Sequence, residues 1–297
     1  MKHDKSIQWE RVSSEQLDLS GTRVAVVGGT GGLGRALSRL MASRGAAVTV
    51  VGQTFRDFGS ANIDFVQADL SLMGEAVRVA GLLPAENLDL LVLTTGIFAA
   101  PQRQQTAEGL ERDMAVSYLN RLVLLRNLAP RLGKTRQEPA TKPRVFIMGF
   151  PGTGQTAKID DLNFEKSYSS MSAHMSTVAG NEALVRDSAQ RYPEINFYGL
   201  NPGLHKTNIR SNMAGANRFR YGAMEWVIGV LTPSVESYAE HIVPLLVSPG
   251  IESHSGSMFD QKARAIMPSS GMTPDHAKSI IDSSEKLIAR VTPGIPL

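Results

Sequence analysis

Short, nearly continuous apolar runs recur along the chain at 24–27 (VAVV), 48–51 (VTVV), 64–66 (DFV), 88–93 (LDLLVL), 144–148 (RVFIM) and 195–200 (INFYGL). Continuous rather than alternating apolar character predicts strands buried on both faces of a parallel sheet. Helical patterns fall between them. Leu33, Leu37, Leu40 and Met41 repeat at helical spacing after the first run, with Gly45 just past the end as a stop. LERDMAVSYLNRLVLLRNLAPRL carries a long apolar stripe that ends near Pro130. Strand and helix thus alternate to about residue 200. This predicts an α/β, single-domain, doubly wound parallel sheet, a Rossmann fold with right-handed crossovers, over 1–297.

Three stretches depart from that rhythm. Residues 1–20 read as a polar N-terminal extension, and GKTRQEPATKP (133–143) reads as a surface loop. The segment 208–231 carries Met213, Phe219, Tyr221, Met224 and Trp226, and is expected to form an inserted apolar substrate flap. A helix over SVESYAEHIVPLLVS and a last strand at GSMF (256–259) are predicted after it.

Composition changes the picture by exclusion. Hydrophobic residues make up 42% and charged residues 20% of the 297, a globular balance. There is no cysteine, which removes disulfides and thiolate ligands, and no metal site is predicted. The net charge of +3 is spread without interleaved aromatics, so nucleic acid is not an expected partner. No run approaches the ~18 apolar residues of a membrane span. The expectation is a cytoplasmic protein acting on a small molecule, without membrane insertion and with homo-oligomerisation open.

Chemistry enters at VAVVGGTGGLGRAL. Gly28, Gly32 and Gly34 follow the first strand and open the first helix. A pyrophosphate needs such a turn, because glycines let the backbone approach and free N–H groups lie at the helix start. Thr30, Gly31 and Leu33 belong to the same loop.

The wider glycine spacing, the later NPG and the layout resemble the short-chain dehydrogenase/reductase superfamily, closest to its retinol-dehydrogenase-like branch. EGLERDMAVSYLNRLVLLRNLAPRL, DLNFEKSYSSMSAHMS and NPGLHKTNI carry the likeness, which covers roughly 20 to 260. The resemblance implies NAD or NADP as cofactor. It places Asp69 and Leu70 at the adenine contact, although Asp69 also reads as the cap of the following helix. It sets Gln53 where cofactor choice is made. No acid stands in that first turn and Arg56 follows, which leans to NADP. Thr94, Thr95 and Gly96 replace an Asn-Asn-Ala-Gly end of the fourth strand. Pro202, Gly203 and Thr207 correspond to residues beside the nicotinamide and phosphates, with His205 nearby.

The resemblance fails at the reaction centre. The family uses Asn, Ser, Tyr and Lys, whereas alignment gives Ser117, Phe150, His174 and Val178. Val178 carries no charge and Phe150 no hydroxyl. His174 alone keeps acid/base capacity and is expected to face the cofactor beside Phe150. Tyr168 reads either as a substrate contact or as a packed aromatic, and Phe150, Phe219, Tyr221 and Trp226 are further candidate substrate contacts. Asn120 and Arg121 read as structural. Three functions stay open. One is an atypical oxidoreductase reducing an apolar carbonyl, imine or activated double bond. The second is a nucleotide- or metabolite-binding regulatory protein without catalysis. The third is a non-redox isomerase or cyclase using His174.

Overall fold

The strands form where the chain is continuously apolar: β1 Arg23–Val27, β2 Ala47–Gly52, β3 Ile63–Gln67, β4 Leu90–Leu93, β5 Arg144–Met148 and β6 Asn196–Leu200. The structure, a computed structural model, describes residues 1–136, 141–203 and 234–297. Two short strands, β7 Met258–Phe259 and β8 Ala265–Ile266, complete one eight-stranded sheet of order β3-β2-β1-β4-β5-β6-β7-β8. Every described pairing is parallel except β7 with β8.

β1 pairs on one side with β2 and on the other with β4, so the chain reverses its direction of growth at β1. The crevice outside the carboxyl ends of these strands is where an open α/β sheet takes its ligand. Helix α1 (Gly32–Ser43) packs with α6 (Val235–Val247) on one face, burying Leu37, Met41, Ile242 and Leu246 against Val26 and Val50. On the other face lie α2 (Met73–Leu82), α3 (Arg112–Met114), α4 (Asn120–Leu128), α5 (Ser170–Arg191) and α7 (Pro274–Val291). There Leu122, Leu184 and Ile281 meet Leu91 and Ile147.

Helices α3 and α4 are one run broken by π-helical turns over Ala115–Leu119. The widened turns leave carbonyls that Asn120 Nδ2 takes, donating to Ala115 at 2.8 Å and Val116 at 2.5 Å. Such bulges cost helix geometry and recur near functional sites.

Three expectations are corrected here. The tail contains a further strand and the 18-residue helix α7, whose face is buried against α5. The N-terminal stretch is no free polar extension. His3 forms a bridge to Ile266, Trp9 Nε1 donates to the Ala263 carbonyl at 2.9 Å, and Leu19 is buried. Asp69 does not cap α2. Its Oδ1 accepts from Ser71 N at 3.0 Å, and the carboxylate of Glu108 accepts from Met73 N and Gly74 N at that helix start. The flap at 208–231, with Phe219, Tyr221 and Trp226, lies outside the described residues, as do His205 and Thr207.

Candidate functional site

A cleft of about 690 Å³ runs across the carboxyl ends of the central strands. Its first half is built on the β1–α1 turn. Gly28 has φ +92°, and a Cβ there would stand 2.6 Å from Thr94 Oγ1 and Thr95 N. A Cβ on Gly34 would collide with the Gly28 carbonyl, which fixes how closely α1 can enter the turn. Gly31 precedes α1 in extended conformation, and no side chain caps the helix. The first N–H groups of α1 are therefore without side-chain partners at the cleft floor, as an anion site requires.

The loop after β2 is locked over this turn. Arg35 grips buried Asp57 through Nε (2.9 and 3.0 Å) and Nη2 (2.7 Å). Arg56 Nη1 donates to the Thr30 carbonyl at 3.0 Å, so its guanidinium lies at the rim beside Gly31. Gln53 Nε2 donates to Asp69 Oδ1 at 3.1 Å. Hydrogen bonds from Ser71 and Gln53 hold the Asp69 carboxyl below its ordinary range despite the opposing effect of burial, which is the largest single influence. Asp69 is thus a settled anion.

The second half of the cleft lies at the ends of β4, β5 and β6. Ser169 caps α5, and His174, Val178 and Asn181 then follow at i, i+4 and i+7 along one helical face that lines the cleft. His174 Nδ1 lies 2.8 Å from Asp113 Oδ2, and its ring stacks on Phe98 at 3.9 Å. Asp113 is fully buried, and its other oxygen receives Ser117 Oγ at 2.5 Å. Ser117 Oγ also accepts from Ile97 N at 3.0 Å. A carboxylate accepting from Nδ1–H fixes the tautomer and leaves Nε2 as the ring nitrogen available to the cleft. Phe98 is the ring stacked on His174, and the charged group facing the imidazole is the Asp113 carboxylate, opposite in sign to the lysine whose place Val178 takes.

Arg121, read from sequence as structural, lines the cleft. It is 2% exposed and donates to the carbonyls of Thr95 and Met148 and to Asn181 Oδ1, the last at 2.8 Å. Desolvation lowers its pKa to about 9, which leaves it charged at neutral pH.

The sequence candidates converge. Gly28, Thr30, Gly31, Gly32, Leu33, Gly34, Gln53, Asp69, Leu70, Thr94, Thr95, Gly96, Phe150, His174, Pro202 and Gly203 all line this one cleft. Thr94 turns its hydroxyl to the Val27 carbonyl at 3.0 Å. Tyr168 is the exception. Its hydroxyl donates to the Ala100 carbonyl at 2.5 Å and it does not line the cleft, so the expected substrate contact is corrected to a packed aromatic. Asp113, Phe98, Arg121 and Asn181 were missed. Only Arg121 carries a sequence signal, an arginine within an apolar stripe.

A parallel sheet with a glycine turn at its switch point and a cleft over the strand ends defines an α/β protein of Rossmann type. Comparison with known proteins narrows this. The chain is 50% identical over 293 residues to an uncharacterized oxidoreductase of Saccharomyces cerevisiae, covering 97% of this chain and 95% of that one. An oxidoreductase of Emericella variicolor is 26% identical over 240 residues, covering 75% of this chain and 69% of its own. The fold matches a short-chain dehydrogenase of Salmonella enterica at TM-score 0.60 and 16% identity, covering 86% of this chain and all of that one. A short-chain dehydrogenase from Shigella flexneri solved with NADP matches at TM-score 0.60 and 15% identity, covering 83% and 100%. No family model matches the chain. The chain belongs to the same family of oxidoreductases as the yeast protein, and its fold is that of the short-chain dehydrogenases/reductases.

Proposed function

We propose that this protein is an NADP- or NAD-dependent reductase of a small apolar molecule, with His174 as proton donor in place of a tyrosine–lysine pair. One observation carries the reading: the His174–Asp113 pair opens into the same cleft that begins at the α1 N-terminus. The glycine turn fits a pyrophosphate, and Gln53, Asp69 and Leu70 lie where an adenosine would rest. A bound reduced nicotinamide would supply hydride over the ends of β4 and β5.

The acid in the loop after β2 favours NADP through its orientation. Asp57 is buried and held by Arg35, so it is not free for ribose hydroxyls, while Arg56 lies at the rim. Ile97, Phe98, Phe150, Met175 and Val178 give the far half of the cleft an apolar lining suited to an apolar substrate. In this scheme Asp113 holds the ring through Nδ1–H, and the imidazolium form of His174 delivers its Nε2 proton to the acceptor atom of a carbonyl, imine or activated double bond as hydride reaches the other end of that bond, leaving the neutral Nδ1–H tautomer. With Phe150 and Val178 in place of Ser and Lys, secondary-alcohol oxidation is not expected.

The test joins binding to turnover. NADPH should bind saturably by fluorescence titration, and an unsaturated-substrate panel should give turnover that His174→Phe abolishes while NADPH affinity persists. Equal turnover by wild type and His174→Phe, or robust oxidation across a secondary-alcohol panel, would sink the mechanism.

A further inference from the structure

Buried cations ordinarily face carboxylates, because isolated charge is costly away from water. Arg126 and Arg144 follow this rule, with Glu285 and Glu252 at 2.7 and 2.9 Å. Arg121 does not. Its described partners are two main-chain carbonyls and an amide oxygen, and its Nε has no hydrogen-bond partner among the described residues. Asp113 is near enough to act on it through space and is hydrogen-bonded to Ser117 and His174, but unlike Arg121 it does not line the cleft, so the cation is the charge nearer a ligand there. A fixed cation therefore stands at the floor of the cleft, below the ends of β4 and β5. The carbonyls of Thr95 and Met148, which would offset positive charge there, are already committed to it.

From this placement we infer that Arg121 makes the site select the reduced over the oxidised cofactor. The inference rests on the cofactor reading given above. With pyrophosphate at α1, the nicotinamide half of a dinucleotide extends over β4 and β5, the strand ends that Arg121 ties together. The oxidised ring carries a positive charge and the reduced ring none. Arg121 consequently repels one form and leaves the other indifferent. By linkage, the same residue biases the bound cofactor toward donating its hydride less readily, while keeping the protein loaded with the donor form. The cation thus acts as a loading selector, and its effect is visible without any substrate.

Equilibrium binding of NADPH and NADP⁺ to the whole protein tests this. Wild type should bind NADPH at least about tenfold more tightly than NADP⁺, the scale expected of one charge at several ångströms in a partly screened site. Arg121→Met should bring the ratio toward unity, mainly by improving NADP⁺ binding. Arg121→Lys keeps the charge without the bridging geometry and should retain most of the preference. Equal affinities in wild type overturn the inference even if Arg121→Met fails to fold. Loss of preference in both variants to the same degree overturns it in favour of a purely positioning role. Failure of wild type to bind either form overturns the cofactor reading itself.

Discussion

His174 on α5 and Asp113 on α3 are 61 positions apart in sequence and 2.8 Å apart in space, joined Nδ1 to Oδ2. The carboxylate end of this pair is fully buried, while the imidazole is partly exposed at the cleft. In the proposed mechanism Asp113 is accordingly the positioning residue and His174 the one that meets the ligand. Asp113→Asn should lower turnover by about 10²-fold, because an amide no longer imposes one tautomer. NADPH affinity should stay within about twofold of wild type, since Asp113 does not line the cleft. Unchanged turnover in Asp113→Asn would remove the pair from the chemistry.

The α1 turn offers a cleaner binding-loss variant than its central glycine. Gly32 has φ +49°, so a β-branched residue there would strain the backbone as well as fill the site. Gly31 is extended, and a side chain there meets only Arg56, at 3.2 Å. Gly31→Val should reduce NADPH affinity at least about a hundredfold with an unchanged melting temperature. Retained binding by fluorescence titration would place the nucleotide elsewhere.

Arg56 is predicted to set cofactor preference. Arg56→Ala should weaken NADPH by about tenfold and leave NADH nearly unaffected, because only the former brings a 2′-phosphate to the rim. Parallel losses for both cofactors would mean that the residue acts only through its bond to Thr30.

Glu111 caps α3 by accepting from Met114 N at 2.8 Å, and it is almost wholly buried. Desolvation raises its carboxyl to about 7 from an ordinary 4.5. The folded chain then holds a proton that the unfolded chain has released. The favourable contribution is complete below about pH 4.5 and disappears as pH rises through about 7, amounting to at most about 3 kcal/mol. Urea denaturation of Glu111→Gln should show a flatter stability profile than wild type across that window. Parallel profiles would show that Glu111 does not titrate there.

A packing prediction concerns Gly180 on α5. A Cβ there would stand 2.7 Å from the Tyr118 ring, whose hydroxyl is bound to Ser284 at 2.9 Å. Tyr118 is fully buried and anchored, so it cannot retreat. Gly180→Ala should destabilise the protein by about 1–3 kcal/mol despite alanine's better helix propensity. A raised melting temperature would contradict this.

The parts of the molecule legible in the sequence were those with a local signature. Continuous apolar runs marked six strands, and the glycine turn marked the cleft's first half. Helix α7 had a readable pattern too: Thr273 before Pro274, then Ile280, Ile281, Leu287 and Ile288 on one face, packed in the core. The polar residues between them masked it. The partner of His174 had no such sign, since nothing near Asp113 announces a residue on another helix. Tyr168 misled for a similar reason. Its neighbourhood resembles a substrate-facing loop, while its hydroxyl is directed by a carbonyl 68 positions earlier.

Helix α7 has a consequence for biosynthesis. It follows every strand in the sequence, yet Ser284 and Glu285 reach back to Tyr118 and Arg126 in the middle of the chain. A ribosome releases β1 to β6 and the glycine turn well before residues 274–291 emerge. For that interval the side of α5 that α7 covers stands open, and Arg126 lacks one of its two acidic neighbours. The growing chain thus passes through a stage with its glycine-turn half assembled and an apolar flank open, the condition in which nascent proteins recruit chaperones or aggregate.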